Sequence, residues 1–188
     1  MIKIGLTGSV ASGKTTASKI IASRRGPLFS ADEIVKKLYT KNNFKRLLAK
    51  KLNIKFNKDL KKNIKNKILK KKKTLKELEK IIHPLVRKEM FLFFKKNKKK
   101  KFLFLEIPLL IESKLTKYFD VIIFIKSNNN LRLKRYMLKG GSQTLFSLLD
   151  EHQIKDSKKM KFCDHIVVNN KSLSVLRNKL LNIIYLYE

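Results

Sequence analysis

Ile2-Lys3-Ile4-Gly5-Leu6-Thr7-Gly8-Ser9-Val10-Ala11-Ser12-Gly13-Lys14-Thr15-Thr16 is the stretch whose reading decides the fold. Residues 2–7 form a short apolar run that reads as a buried strand, and residues 13–24 read as the helix that follows. Between them stands the spacing Gly-x4-Gly-Lys-Thr, from Gly8 to Thr15. Glycines let the backbone curl so that successive N–H groups point at phosphate oxygens. The helix behind them adds its positive N-terminal end. Lys14 has the reach for the β- and γ-phosphates, the Thr15 hydroxyl suits Mg²⁺, and Thr16 falls near the α-phosphate. Gly8, Ser9, Val10, Ala11, Ser12, Gly13, Lys14, Thr15 and Thr16 are therefore the candidate ATP-binding residues. A chance glycine-rich turn is the competing reading. Against it, Gly5, Gly8 and Gly13 are half of the six glycines of the chain, and the loop stands between strand and helix as the chemistry requires. The loop alone leaves open whether the terminal phosphate is transferred, hydrolysed or only sensed.

Outward from the loop, Gly26-Pro27 marks a turn and Leu28–Ser30 a second short strand. Residues 32–39 carry Ile34, Val35 and Leu38 at helical spacing. From Lys41 to Lys101 no convincing strand appears. Residues 74–94 read as part of a helical insertion broken or bent near Pro84. Lysine runs at 70–73 and 98–101 read as solvated turns. Strand texture returns at 102–105, 121–125 and 166–168, separated by helical stretches at 131–138, 144–152 and 173–186. Short apolar strands without alternation, interleaved with helices, predict a five-stranded parallel sheet covered on both faces. The expected fold class is three-layer α/β/α of the P-loop type with a helical insertion. Expected boundaries are a nucleotide-binding core at 1–56 and 96–188 and the helical insertion at 57–95.

The chain of 188 residues has a formal net charge of +32, which invites a nucleic-acid reading. Yet only seven of the 46 basic residues are Arg, the residue suited to base and phosphate forks. Lys, Asn, Ile and Phe share A/T-rich codons, so coding bias competes with selected polyanion binding as the source of the charge. Cys163 stands alone, so neither a disulfide nor a Cys-based metal framework can form within the chain. No run reaches the ~18 apolar residues of a membrane span. The motif begins so early that a cleaved leader would remove it, and a cytoplasmic protein without membrane attachment is expected.

Several further segments together resemble the dephospho-CoA kinase family. Ile4 to Thr16 is similar to that family's opening, and Ser30-Ala31-Asp32-Glu33-Ile34 to its Asp-Ala-Asp-x-Ile element. Leu78-Glu79-Lys80-Ile81-Ile82-His83-Pro84-Leu85-Val86-Arg87 resembles its His-Pro helix. Glu106-Ile107-Pro108-Leu109-Leu110-Ile111-Glu112 resembles its Pro-Leu-Leu-x-Glu segment, and Cys163-Asp164-His165-Ile166-Val167-Val168-Asn169-Asn170 its late strand. The resemblance implies an enzyme that moves the ATP γ-phosphate to the 3′-hydroxyl of dephospho-CoA, the last step of coenzyme A synthesis, with a helical substrate domain at 57–95 and a helical lid at 139–160 within the core. ATP and dephospho-CoA are then the small-molecule partners, with Mg²⁺ as cofactor and no obligatory nucleic acid. A monomer is expected and an oligomer left open.

From the residues alone, Asp32 can accept the acceptor hydroxyl's proton or can simply open the following helix; the resemblance implies the former. His83 reads as a core or capping residue by itself, and as a substrate contact by resemblance. Arg87 suits an anionic substrate better, as a guanidinium. Pro108 and Leu109 follow a buried strand edge, where ligands bind in such sheets. Glu106 stands where it could reach Mg²⁺ through water. Glu112 reads either as a substrate contact or as a structural acid. Two departures from the family pattern stand out: Ser30 replaces the first Asp, and the lid is poor in Arg. Arg132 and Arg135 fit its start, and Arg135 is the candidate catalytic arginine beside Lys14 and Asp32. Lys139, Lys155, Lys158 or Lys159 are possible point-charge substitutes, and Gln153 resembles a position near the adenine. A nucleoside or nucleotide kinase is the nearer alternative and a nucleic-acid-binding P-loop protein the more distant one.

Overall fold

A computed structural model describes all residues, Met1–Glu188. The chain divides into two compact units, Met1–Ser30 with Phe94–Glu188, and Ala31–Phe93. In the first unit lie strands β1 (Ile2–Thr7), β2 (Leu28–Ser30), β3 (Phe102–Glu106), β4 (Val121–Lys126) and β5 (His165–Val168). Helix α1 (Lys14–Ala22) follows β1. In the second unit, α2 (Ala31–Leu38), α3 (Asn42–Lys51) and α4 (Leu60–Lys70) lead into α5 (Lys73–Lys96), which runs on into the first. Back in the first unit are α6 (Asn129–Met137), α7 (Gln143–His152), the short α8 (Asp156–Lys159) and α9 (Leu173–Tyr185).

All five strands are parallel, in the order β2-β3-β1-β4-β5. This is the predicted sheet, and the reason is burial. Every residue of β3 and the first five of β4 are buried, so apolar runs on both faces suit a sheet covered on both sides. Ile4, Leu6, Phe104, Ile123 and Ile125 pack with Ala17 and Ile21 of α1 and with Leu176, Leu180 and Ile184 of α9. The steps of four residues in α9 place one apolar stripe on the sheet. β3 extends one residue past the expected stretch because Glu106 pairs in register with Leu6 and with Ser30. Gly5 has no room for a side chain: a Cβ there would come within 2.8 Å of Leu110 and 2.9 Å of Phe119. The chain after β3 therefore packs directly on β1.

The second unit has its own core, including Phe44, Leu48, Leu60, Ile64, Ile68, Leu75, Ile82, Val86 and Met90. Helix α3 ends on Asn53, whose φ is 48°, while Ile54 N–H donates to the Ala49 carbonyl and Asn53 N–H to that of Lys50. That left-handed stop is one that asparagine tolerates. Lys67 of α4 donates to the carbonyls of Leu52 and Asn53 at 2.6 and 3.1 Å and closes the same end. Helix α5 continues through Pro84 instead of breaking there. Pro84 is exposed, so water can serve the carbonyl left without a donor, while Ile82 and Val86 stay buried on either side. The lysine runs at 70–73 and 98–101 are exposed, at the α4–α5 and α5–β3 junctions. No helix is long and apolar enough to cross a membrane.

Candidate active site

The glycine-rich loop leaves the C-terminal edge of β1, the central strand, where the order of the sheet reverses. Its curl rests on three left-handed or unusual backbone positions: Gly8 at φ 150°, Ala11 at 57° and Gly13 at 98°. At Gly8 a Cβ would meet the Ile125 carbonyl at 2.4 Å, and at Gly13 it would meet Asn169 Nδ2 at 2.2 Å. Both glycines are thus required by space as well as by angle. No side chain caps α1 and no acid stands in its first turn, so its leading N–H groups and its dipole remain directed at the loop.

Lys14 is buried, and its Nζ donates to the carbonyls of Gly8 and Ser9 at 3.0 and 2.7 Å. Thr15 Oγ1 donates to Glu106 Oε1 at 2.6 Å, and Ser18 Oγ lies 3.3 Å from Glu106 Oε2. Glu106 is 1% exposed, and two hydroxyls of α1 therefore hold its carboxylate at the end of β3. Ser9 donates to Asp156 of α8. Ser12 Oγ is buried without a hydrogen-bond partner, a hydroxyl inside the loop suited to a phosphate oxygen. The donor set near Thr15 is all oxygen, which fits Mg²⁺. No cluster of three His, Cys, Asp or Glu exists to form an all-protein cage. Mg²⁺ usually keeps waters and phosphate oxygens beside one or two protein ligands, so the residues present fit it. A cleft of about 840 Å³ opens from Thr15 and Thr16 along α1 and α9, lined also by Lys19, Arg24, Arg25 and Arg177.

Around this centre, Pro108 is tied by its carbonyl to Thr7 Oγ1 at 3.0 Å, and Leu109 is half-buried beside it. Glu112 Oε1 lies 2.6 Å from Nζ of Lys159, which is fully buried, and accepts from the Ile154 N–H at 3.2 Å. Lys159 is therefore not a solvent-facing charge, whereas Lys139, Lys155 and Lys158 are exposed. Its Nζ also donates to Gln153 Oε1 at 3.3 Å. Arg132 is buried in a two-pronged pair with Asp150, at 2.5 and 3.1 Å, over the Phe146 ring, and so pins α7 to α6. Arg135 Nη1 lies 3.5 Å from the Ser12 carbonyl and 3.1 Å from Ser127 Oγ, and Nη2 lies 3.1 Å from the Asn169 carbonyl. The guanidinium stands directly beside the loop.

Within the second unit, Asp32 is exposed and is the second residue of α2. Asp32 thus sits inside the first turn of α2. His83 and Arg87 are four residues apart on α5 and share one side of it. Sequence reasoning missed Asn169, Ser127 and Asp156. The signal for Asn169 was a polar pair, Asn169-Asn170, directly after a buried strand at the ligand-binding edge of the sheet.

A parallel sheet with this loop at its crevice and a buried acid beside the loop threonine defines a P-loop nucleotide-binding protein. The sequence profile of the family described as dephospho-CoA kinase matches residues 2–174. The dephospho-CoA kinase of Bartonella henselae is 32% identical, over 96% of this chain and 95% of its own. That of Zymomonas mobilis is 31% identical, over 94% and 91%. The solved dephospho-CoA kinase of Campylobacter jejuni superposes with a TM-score of 0.63 at 25% identity, covering 99% of this chain and 97% of that one. The chain belongs to the dephospho-CoA kinase family. The nucleoside-kinase and nucleic-acid alternatives are not favoured by this membership.

Proposed function

We propose that this chain transfers the γ-phosphate of ATP to the ribose 3′-hydroxyl of dephospho-CoA, the last step of coenzyme A synthesis. The observation that carries this reading is the family match across both units, residues 2–174, since the loop alone fits any P-loop kinase. The curled N–H groups of Gly8 to Thr16 grip the phosphates, and Lys14 swings from the loop carbonyls to the β- and γ-phosphates. Thr15 and Glu106, already hydrogen-bonded to each other, are the residues that would hold Mg²⁺. When bound, that ion neutralises charge on the β- and γ-phosphates.

Asp32 takes the proton of the 3′-hydroxyl as the new O–P bond forms and the bond to the β-phosphate oxygen breaks, releasing ADP. Arg135 stabilises the phosphoryl group in flight. His83 and Arg87 hold the acceptor, within a substrate domain at 57–95. Pro108 and Leu109 shape the acceptor side. Glu112 acts there through its grip on Lys159 of the lid, 139–160. The enzyme works as a cytoplasmic monomer.

The test is ADP release with dephospho-CoA, compared with adenosine, AMP and shikimate. Only dephospho-CoA is expected to stimulate it, with the product phosphate on the 3′-oxygen. Stimulation by another acceptor and not by dephospho-CoA rejects the assignment. Asp32→Asn is expected to cut kcat by roughly 10²–10³ with ATP affinity held within about twofold, as for loss of a general base. Unchanged turnover would remove Asp32 from the chemistry.

A further inference from the structure

Asn169 follows β5 directly and is 7% exposed. Its Nδ2 donates to the Ser12 carbonyl at 2.9 Å. Its own carbonyl accepts from Arg135 Nη2 at 3.1 Å and from Ser127 Oγ at 3.1 Å. Its N–H donates to the Lys126 carbonyl at 2.8 Å, which anchors the residue to the end of β4. One residue thus holds the loop with its side chain and the guanidinium with its main chain.

The geometry explains why such a holder is needed. A loop that turns its N–H groups inward toward an anion must turn carbonyls outward. An outward carbonyl that is buried requires a donor. At Ser12 the amide of Asn169 is that donor, and Arg135 stands behind it at 3.5 Å. The approach is close enough that any Cβ on Gly13 would collide with Nδ2. We propose that Asn169 is a positioning residue for phosphoryl transfer. It fixes the Ser12–Gly13 peptide so that the following N–H groups face the phosphates, and it sets Arg135 in register with them. This inference rests on the kinase reading above.

Asn169→Asp keeps the shape, loses the donor and faces the Ser12 carbonyl with negative charge; Asn169→Ala removes the contact. Both are compared with wild type and with Asn170→Ala. Asn170 bonds to Ser127 Oγ, Asn128 N–H and Asn128 Oδ1 without touching the loop. Kinetics with dephospho-CoA and calorimetric binding of ATP and AMP are measured on each. For both Asn169 variants kcat is expected to fall about tenfold or more, with the KM for dephospho-CoA within about twofold. ATP affinity is expected to fall about tenfold while that for AMP, which lacks the β- and γ-phosphates, stays level. Asn170→Ala is expected to lower the melting temperature without moving the ATP-to-AMP ratio.

A folded Asn169→Asp protein with unchanged kcat and unchanged ratio overturns the inference, as does the same split in Asn170→Ala. Should the Asn169 variants fail to fold, the wild type is measured by NMR. Its Asn169 side-chain amide is expected to exchange slowly and to shift with ATP and not with AMP; fast exchange without a shift overturns the proposal. A wild type that neither binds ATP nor phosphorylates dephospho-CoA overturns the kinase reading and this inference with it. An active wild type matched by Asn169→Asp overturns the inference alone.

Discussion

Cys163 illustrates how one side chain reports on its surroundings. Its Sγ lies 3.4 Å from the Lys159 carbonyl. Burial, and then the negative charge of Asp164, push its thiol up from 9.0 to about 12, against a partial pull from Lys159. The thiolate is the reactive form, so native Cys163 is expected to react with a disulfide reagent at pH 8 far more slowly than the unfolded chain. The sign of the linked stability follows. The folded state holds this proton more tightly than the unfolded state does, so the contribution is complete below about pH 9 and is lost as pH rises toward 12. Urea denaturation of wild type and Cys163→Ala across that window measures it. Equal alkaline loss in the two proteins would show that Cys163 is not its source. At the loop the constraint is steric instead: Gly13 combines a φ of 98° with a neighbour only 2.2 Å from any Cβ.

Among elements, an ion pair ties the segment after β3 to α8. Lys159 is fully buried and Glu112 partly so, with side-chain exposures of 0% and 15%. Removing one partner of such a pair leaves an uncompensated charge and costs ~3–5 kcal/mol. Lys159→Met is expected to lose about that much in urea denaturation, within the ~3–5 kcal/mol range for a broken buried pair. Glu112→Gln added to it should restore part of the loss. If the single variant is as stable as wild type, the pair is not what joins these segments. This contact also marks where sequence legibility ends. The five strands were readable because apolar runs such as Val121 to Ile125 and the loop after β1 carry local patterns. The loop residues were readable from spacing alone. Lys159 was not, because one lysine among so many basic residues looks solvated, and only the fold shows it is buried. Of the break or bend expected at Pro84, the break does not occur, because the exposure of its face is a tertiary property. The Asn169 tether left no periodic trace, since it links positions 157 residues apart.

For the whole molecule the dominant quantity is its charge of +32. A field of that sign draws anionic substrates inward and repels itself, and both effects weaken as salt shortens the Debye length to ~8 Å at 0.15 M. From low to high salt the KM for ATP is expected to rise several-fold while the melting temperature rises with it. Insensitivity of both would mean that the charge acts on neither capture nor stability. The long reach from Ser12 to Asn169 has a consequence for biosynthesis. The glycine-rich segment is synthesised 157 residues ahead of the amide that orients it, which emerges only after β5. Nascent chains stalled before that strand therefore carry the whole motif without the tether, and nucleotide capture should begin late in translation.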